Sequence, residues 1–538
     1  MGRTRFSIVA LAAPLAACAG AAGGSSAANA PPYDVVIAGG RVVDGTGAPA
    51  YAADVAIRAG RIAAVSRESI PTSGARLVID ARDRVVAPGF IDLHAHLDPL
   101  LRLPGAQSAV RQGVTTALGG PDGGSPLPLG AYLDSAAGKL GINVAFLAGH
   151  NTIRARVMGD ANRDPTPAEL ARMRRLVGES MAEGAWGLST GLKYIPGAYS
   201  RTDEVVALAT VAGDSGGIYT SHLREEGLGL LEGVAEAIEI GRRARIPVVL
   251  THHKAVGKPM WGASVRTLAM IDSANAAGVD VMADQYPYTA TYTGIGVLVP
   301  AWALADGDSA FARRLTDGTL RDSIRAGIVF NILNDRGGGD LRRIQLSRVA
   351  WDRSLEGRTL YDWAVRRGLP PTLETGATLV IEAMRRGGAS AIYHVLDEGD
   401  VERIMRHPRT MIASDGRLVE PGEGHPHPRW YGTFPRVLGT YVRDRKVLTL
   451  EQAVHKMTEM PARRLGLADR GRVAAGLVAD VVVFDPATVA DRATFESPHQ
   501  YPSGIEWVLV NGVAVVERSA FTGRRPGMVL RRTQGRTR

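Results

Sequence analysis

A single cysteine stands in this chain of 538 residues, at position 18. One thiol leaves no internal disulfide to form, and a folded part without any thiol has no zinc finger and no cysteine nucleophile. Long apolar runs are also scarce: beyond the N-terminal stretch no segment reaches the ~18 consecutive apolar residues that a membrane helix requires. Concentrated charge is missing as well. The formal net charge is +9 and the pI is near 9.7, yet Lys and Arg are scattered along the chain. The densest basic run, Arg524 to Arg538, is expected to be a solvated tail over 521–538, so no nucleic-acid partner is expected. What the chain has in quantity is glycine, 64 residues, with 45% hydrophobic and 22% charged residues. That composition belongs to a globular protein with many turns.

The first residues read as a leader. Met1-Gly2-Arg3-Thr4-Arg5 is a short basic region, Phe6 to Ala17 is apolar, and Leu15-Ala16-Ala17-Cys18 closes the stretch, which is the pattern of a secretory signal. The closing four residues resemble the lipobox of bacterial lipoproteins. That resemblance implies a signal peptide over 1–18, lipidation at Cys18, a periplasm-facing location in the cell envelope, and contact with a membrane through the lipid anchor only. Residues 19–32, rich in Ala, Gly and Ser, are expected to form a flexible tether.

From Tyr33 to Val86 short alternating segments with turn signals predict strands, among them Asp34 to Ile37, Asp54 to Ile57 and Arg61 to Val65. Similar segments return in Ala479 to Phe484 and Ile505 to Gly512. A β-sandwich module built from both ends of the chain, 33–87 plus 470–520, is expected to flank one inserted domain over 88–469. In that middle region eight strand-like segments alternate with helical patterns such as Pro167 to Glu183, Gly227 to Arg243 and Val265 to Ala277. Such alternation predicts an α/β fold of the (β/α)8 TIM-like type, whose ligands sit at the C-terminal strand ends. The stretch from 298 to 409 is too long for one crossover and is expected to be an insertion over the barrel mouth, a lid or small subdomain.

The tips of those strands carry the chemistry. The run Gly89-Phe90-Ile91-Asp92-Leu93-His94-Ala95-His96 is apolar until it emits two imidazoles. Residues two apart on a strand share a face, so His94 and His96 can grip one ion from one side. Later tips add Lys193, His222, His252 with His253, and Asp415. A nitrogen and oxygen donor set without thiolate suits Zn, Mn, Fe or Ni, with Zn2+ the default for hydrolysis, as one or two ions. Asp415 is then placed to take a proton from an attacking water and return it to a leaving amine. Arg224, Lys254 and Arg429 supply cations for a substrate carboxylate, which a guanidinium fork holds in two parallel hydrogen bonds.

The order of these segments resembles the amidohydrolase superfamily, and within it the N-acyl-D-amino-acid deacylase (D-aminoacylase) branch, over nearly the whole of 33–520. The matching motifs are the His-x-His run, Gln112 to Thr116, Gly191 to Gly197, Tyr219 to Arg224, Thr251 to Lys254, and His427-Pro428-Arg429 followed by Tyr431 to Gly439. The resemblance implies metal-dependent hydrolysis of an amide bond in N-acyl-D-amino acids or D-residue-containing dipeptides. It also implies a small-molecule substrate touched by Tyr194, Lys254, Tyr286 and Arg429. No oligomeric state follows from it.

One departure stands out. The best known deacylases of this branch place a metal-bridging cysteine after the second strand, where this chain reads Gly120-Pro121-Asp122-Gly123-Gly124. Either Asp122 supplies the carboxylate or Lys193 bridges after carbamylation. Lys193 is favoured, since a carbamate offers two oxygens and an Asp between glycines is also an ordinary turn residue. Two alternatives remain beside the deacylase reading: a cyclic amidohydrolase of the dihydroorotase or hydantoinase kind, and a non-catalytic envelope binding protein.

Overall fold

The computed structural model describes Gly2 and residues 32–532. The leader reading with Cys18, and the tether reading except for Pro32, therefore lie outside the described residues, as do 533–538. Among the described residues no helix is long and apolar enough to cross a membrane.

Strands from the two ends of the chain do pair. Val35–Val42, Tyr51–Arg58, Arg61–Ser66, Leu77–Asp80 and Val85–Pro88 join Val481–Phe484, Ile505–Val510, Val513–Glu517 and Ala520–Phe521 in one nine-stranded hydrogen-bonded sheet. The join is antiparallel, Val483 opposite Val86. Inward residues from both halves, including Val55, Ile79, Val86, Val483, Trp507 and Leu509, make one buried cluster. The strands from both chain ends thus form one module around a shared core, hydrogen-bonded from end to end.

Pro88 ends that sheet and Phe90 begins the barrel. Its strands, in order, are Phe90–Asp92, Val114–Gly119, Asn143–Phe146 continued by Ala148–Gly149, Gly187–Gly191, Ile218–His222, Val248–Leu250, Val281–Gln285 and Thr410–Ile412, all parallel to their neighbours. Closure between the eighth and the first uses a short pairing of Gly416–Arg417 with Ala95–His96. It also uses a buried side chain, as the Ser414 N–H donates to Asp92 Oδ1 at 2.9 Å. Burial pushes the Asp92 carboxyl up to about 6, against the pull of its bonds from Ser414. Inside the barrel Ile91, Leu118, Leu147, Ile218, Val249 and Met411 fill the space beneath the mouth, as packed layers do in folds of this type. The helices obey their local signals: Pro167–Ala182 starts at Thr166, which shares a reciprocal capping box with Glu169.

Between the seventh and eighth strands stands a subdomain with its own core. An antiparallel sheet of Thr291–Gly294, Ser390–Tyr393 and Ile344–Arg348 carries helices that include Gly318–Asn331 and Leu373–Arg385. It begins before 298 and ends before 409, because the helix Glu398–Arg406 returns to pack on the barrel beside the eighth strand. Its first strand finds its partner about a hundred residues away, which no local pattern announces.

The described part of the basic tail is not a free solvated end. Met528 N–H donates to Asn143 Oδ1 at 3.1 Å, Leu530 N–H to Val144 O at 2.7 Å, and Trp186 Nε1 to Leu530 O at 2.7 Å. These contacts lie at the N-terminal ends of the third and fourth strands, and Leu530 packs against the barrel's interior cluster. Strand ends that need partners, together with an apolar plug, outweigh the solvation of the flanking arginines. Truncation after Arg525 should lower stability by at least about 3 kcal/mol, at about 1 kcal/mol for each of these three hydrogen bonds, with Gly527 N–H to Leu140 O and Val144 N–H to Met528 O lost as well; this is read as a fall in Tm by calorimetry, and an unchanged Tm would contradict this role.

Candidate active site

The sequence after the second strand turns sharply to place one carboxylate at the barrel mouth. Asp122 adopts φ +53° and Gly123 φ +77°, and a Cβ on Gly123 would lie 2.0 Å from Asn151 Oδ1. The Gly123 N–H donates to Ser189 Oγ at 3.1 Å, which fixes the turn on the fourth strand. Two other residues of the mouth, His252 at φ +38° and Asp415 at φ +47°, also sit in the left-handed region, a strain that tends to gather where function demands a geometry.

Around Asp122 stand four imidazoles. Its Oδ1 is 3.5 Å from His94 Nε2 and 3.4 Å from His252 Nε2; its Oδ2 is 3.5 Å from His96 Nε2 and 3.7 Å from His222 Nδ1. Asp415 Oδ1 lies 3.6 Å from His94 Nε2 and 3.2 Å from His96 Nε2. Most of these separations exceed hydrogen-bond length. Both ring nitrogens of His94 and of His222, His252 Nε2 and Asp122 Oδ1 are buried without any hydrogen-bond partner. The donor atoms fall into two overlapping sets, His94, His96, Asp122 and Asp415, and Asp122, His222 and His252, each within 4.8 Å. Lone pairs converging on shared space without proton partners are what a metal-binding group presents.

Charge follows from this crowding. Burial pushes the Asp122 carboxyl up, but His94, His252 and His222 outweigh it and hold it well below the usual carboxylate range. For Asp415 burial is likewise overcome, by Arg429, His94, His96 and His252, so it stays ionised. Burial opposes protonation of His96, yet Asp122 and Asp415 push it up to about 10. His252 reaches about 9 against burial and Lys254, through Asp122 and Glu226.

Glu226 escaped the sequence reading. Buried beneath the mouth, it places Oε1 3.2 Å from His252 Nδ1 and Oε2 3.5 Å from His222 Nε2, and it accepts from Lys254 and Arg336. Each of these two rings therefore turns one nitrogen toward Glu226 and the other toward Asp122, the way an outer carboxylate orients a ligating imidazole. The only local signal was its place four residues after His222 in a run of two glutamates. Arg336, also missed, enters from the subdomain and lines the same cavity.

That cavity, of about 360 Å³, is lined by His96, Asp122, His222, His252 and Asp415 together with Tyr194, Lys254, Tyr286, Arg336 and Arg429. Arg429 is buried, with Nη2 3.0 Å from Asp415 Oδ1 and with Nε and Nη1 unpartnered. Its guanidinium lies over the Tyr286 ring at 4.5 Å, and the Tyr286 hydroxyl is also buried and free. Tyr194 sits beside His222, ring centroids 4.5 Å apart. His253 faces away, bonded through Nε2 to Thr267 Oγ1 at 2.7 Å, and burial takes it down to about 3.

Two expectations need correcting. The Lys193 ammonium is held by Glu225 at 2.8 and 2.9 Å, and Lys193 lines a neighbouring cavity, apart from the imidazoles. The fourth strand ends at Gly191, so the following turn presents Tyr194 to the mouth and carries Lys193 past it. The structure places Asp122 where a bridging Lys193 was favoured. Arg224 is likewise absent from the lining: Glu236 holds it at 2.8 and 2.9 Å, and it donates to the carbonyls of Ala198 and Ser200. It pins the loop after the fourth strand.

A parallel barrel with a joint-terminus sheet and a two-part imidazole and carboxylate cluster at its mouth defines an amidohydrolase. The chain belongs to the amidohydrolase family, whose model matches residues 77–287 and 360–516, and within it to the D-aminoacylase branch. It is 40% identical to an N-acyl-D-glutamate deacylase of Alcaligenes xylosoxydans xylosoxydans over 93% of this chain and 96% of that one. It is 39% identical to a D-aminoacylase of the same organism over 94% and 99%. Among solved structures it is similar to a D-aminoacylase that defined a novel subset of amidohydrolases, TM-score 0.79, 38% identity, covering 93% of this chain and all of that one. It is equally similar to the N-acyl-D-glutamate deacylase of Bordetella bronchiseptica in complex with zinc and a phosphonate mimic of the tetrahedral intermediate, TM-score 0.78, 38% identity, with the same coverage. Hydantoinases share the fold at 16–17% identity.

Proposed function

We propose that this protein is a zinc-dependent deacylase that hydrolyses the amide bond of N-acyl-D-amino acids. The observation that carries the reading is the pairing of two unpartnered donor sets across one cavity. On one side are imidazole nitrogens and carboxylate oxygens without hydrogen-bond partners; on the other, Arg429 N–H groups and the Tyr286 hydroxyl without acceptors. The first set fits a divalent metal, and His94, His96, Asp122, His222, His252 and Asp415 would hold it, with Asp122 shared between the two halves. The second set fits a carboxylate. The D-configuration is drawn from the relatives named above.

A divalent ion in such a site makes water nucleophilic near neutral pH by lowering its pKa to about 7, and polarises a carbonyl. The protein's own residues do the rest. Arg429, with Tyr286 and Lys254 beside it, holds the substrate's α-carboxylate and so fixes the amide over the cluster. Asp415, ionised and at the cavity wall, accepts the proton of the attacking water at its carboxylate and delivers it to the departing nitrogen. Glu226 keeps the His222 and His252 rings turned toward Asp122. Tyr194, half-buried beside His222, borders the cavity at that end.

Arg429→Ala should raise KM chiefly, by about 30-fold or more, given the 2–5 kcal/mol that truncating one partner of a buried charge pair costs; an unchanged KM would remove Arg429 from the site. Metal binding should also be linked to protons. With His96 near 10 and His252 near 9, both are protonated at pH 7 in the metal-free protein and must lose those protons to bind. Zinc affinity should therefore rise with pH up to about 10. Calorimetry in buffers of differing ionisation enthalpy should show about two protons released per protein at pH 7; release of none would contradict the assignment.

The test of the function is a panel of N-acyl-D and N-acyl-L amino acids, with metal content measured on the same sample. Hydrolysis of the D-series that disappears on chelation and returns with zinc supports the reading, and cleavage of hydantoin or dihydroorotate instead would replace it. We further propose that the chain is exported and lipid-anchored at Cys18, on the strength of the lipobox-like stretch. Palmitate labelling that survives Cys18→Ser would overturn that.

A further inference from the structure

Beside the reaction cavity lies a second one, of about 670 Å³, along the seam between barrel and subdomain. Both cavities are lined by Tyr194, Thr293 and Gly294, and the Thr293 hydroxyl donates to the Tyr194 hydroxyl at 3.1 Å where they meet. The seam's walls are largely apolar: Ile195, Val297, Val299, Leu304 and Phe330 face it. Phe330 is 53% exposed at its rim. The charges on the wall are already satisfied, Lys193 by Glu225 and Arg224 by Glu236. A charged ligand finds no partner there.

The polarity of the reaction cavity says which part of a substrate reaches this seam. Arg429 stands beside Asp415 at 3.0 Å and holds the amino-acid end. Tyr194 stands at the other flank, against His222. An amide fixed between them directs its acyl group toward Tyr194, and so toward the seam. We propose that this cavity is an acyl-chain subsite and that the substrate carries a long unbranched aliphatic acyl group. The inference rests on the deacylase reading and adds the chemical class of the acyl half.

The test uses the zinc-loaded full chain and N-acetyl-, N-octanoyl- and N-dodecanoyl-D-leucine below micelle-forming concentrations. Each methylene fully removed from water favours binding by about fourfold, so even a half-open groove should raise kcat/KM at least about tenfold from acetyl to octanoyl. Ala301→Trp, which plugs the groove from an exposed position on its wall, should return the octanoyl-to-acetyl ratio to about 1. Phe330→Asp at the rim should lower the same ratio. A wild-type ratio near 1, a ratio that both variants leave unchanged, or a preference that arises only when lipid vesicles are added would overturn the proposal. If no substrate is turned over, the deacylase reading fails on its own. Calorimetric affinities of the same compounds then decide the subsite: tenfold tighter binding of the octanoyl compound supports it, and equal affinity overturns it.

Discussion

Asp415→Asn is expected to lower kcat by about 10²- to 10⁴-fold, the span attributed to a positioned acid–base group, with little change in KM. Asparagine keeps the shape of the side chain and loses the ability to take up a proton. In the native site Asp415 is the carboxylate that meets both halves of the machinery, with Oδ1 3.2 Å from His96 Nε2 and 3.0 Å from Arg429 Nη2. Its ionised form is secured by Arg429 and the imidazoles despite full burial. Steady-state kinetics on an N-acyl-D-amino acid, with zinc content measured in parallel, separate proton transfer from metal loss. An Asn variant within threefold of the native kcat would mean that another group moves the proton.

The second large effect belongs to Asp122. Its two oxygens lie 3.4–3.7 Å from four imidazoles, so Asp122→Ala removes the only carboxylate the two donor sets share and leaves the rings facing one another across an empty centre. Zinc affinity should fall by at least about 100-fold, beyond the 10- to 100-fold that losing an outer partner of a ligand costs, and the zinc bound per chain should drop with it. Lys193→Met is the counterpart, since it removes the pairs with Glu225 and Asp335 and touches none of the imidazoles. It should leave metal stoichiometry as it was. If the metal were lost from Lys193→Met and retained in Asp122→Ala, the carbamate arrangement favoured by the sequence would be restored and the geometry described here refuted.

The contrast between these two residues shows where linear reading loses its footing. Lys193 follows the fourth strand in a run that matches a family motif, yet strand length decides which side chain a turn delivers. Here the ladder stops at Gly191. Asp122 sits between glycines and looks like turn material. Only the approach of Asn151 from a helix and Ser189 from the fourth strand reveals that the turn exists to aim a carboxylate. Glu226 is similar: next to Glu225 it reads as half of a solvated acidic pair. In the fold one of the two faces solvent to hold Lys193, while the other is buried under two imidazoles. The tail fails for a related reason, because arginines at a chain end resemble a solvated segment until unpartnered strand ends are found beneath them.

What the linear order of residues determined by itself was the barrel, its joint-terminus sheet and the positions of His94, His96, His222, His252 and Asp415. Strands of alternating or continuous apolar character and the tips they carry are local properties, set by side chains within a few residues of one another. Tertiary structure alone decided that Asp122 stands at the centre, that Glu226 and Arg336 join it, that Lys193 and Arg224 turn away, and where the subdomain begins. Each of those outcomes depends on which partners arrive from elsewhere in the chain to satisfy a buried charge or an open strand edge, and pairing over such separations leaves no periodic trace.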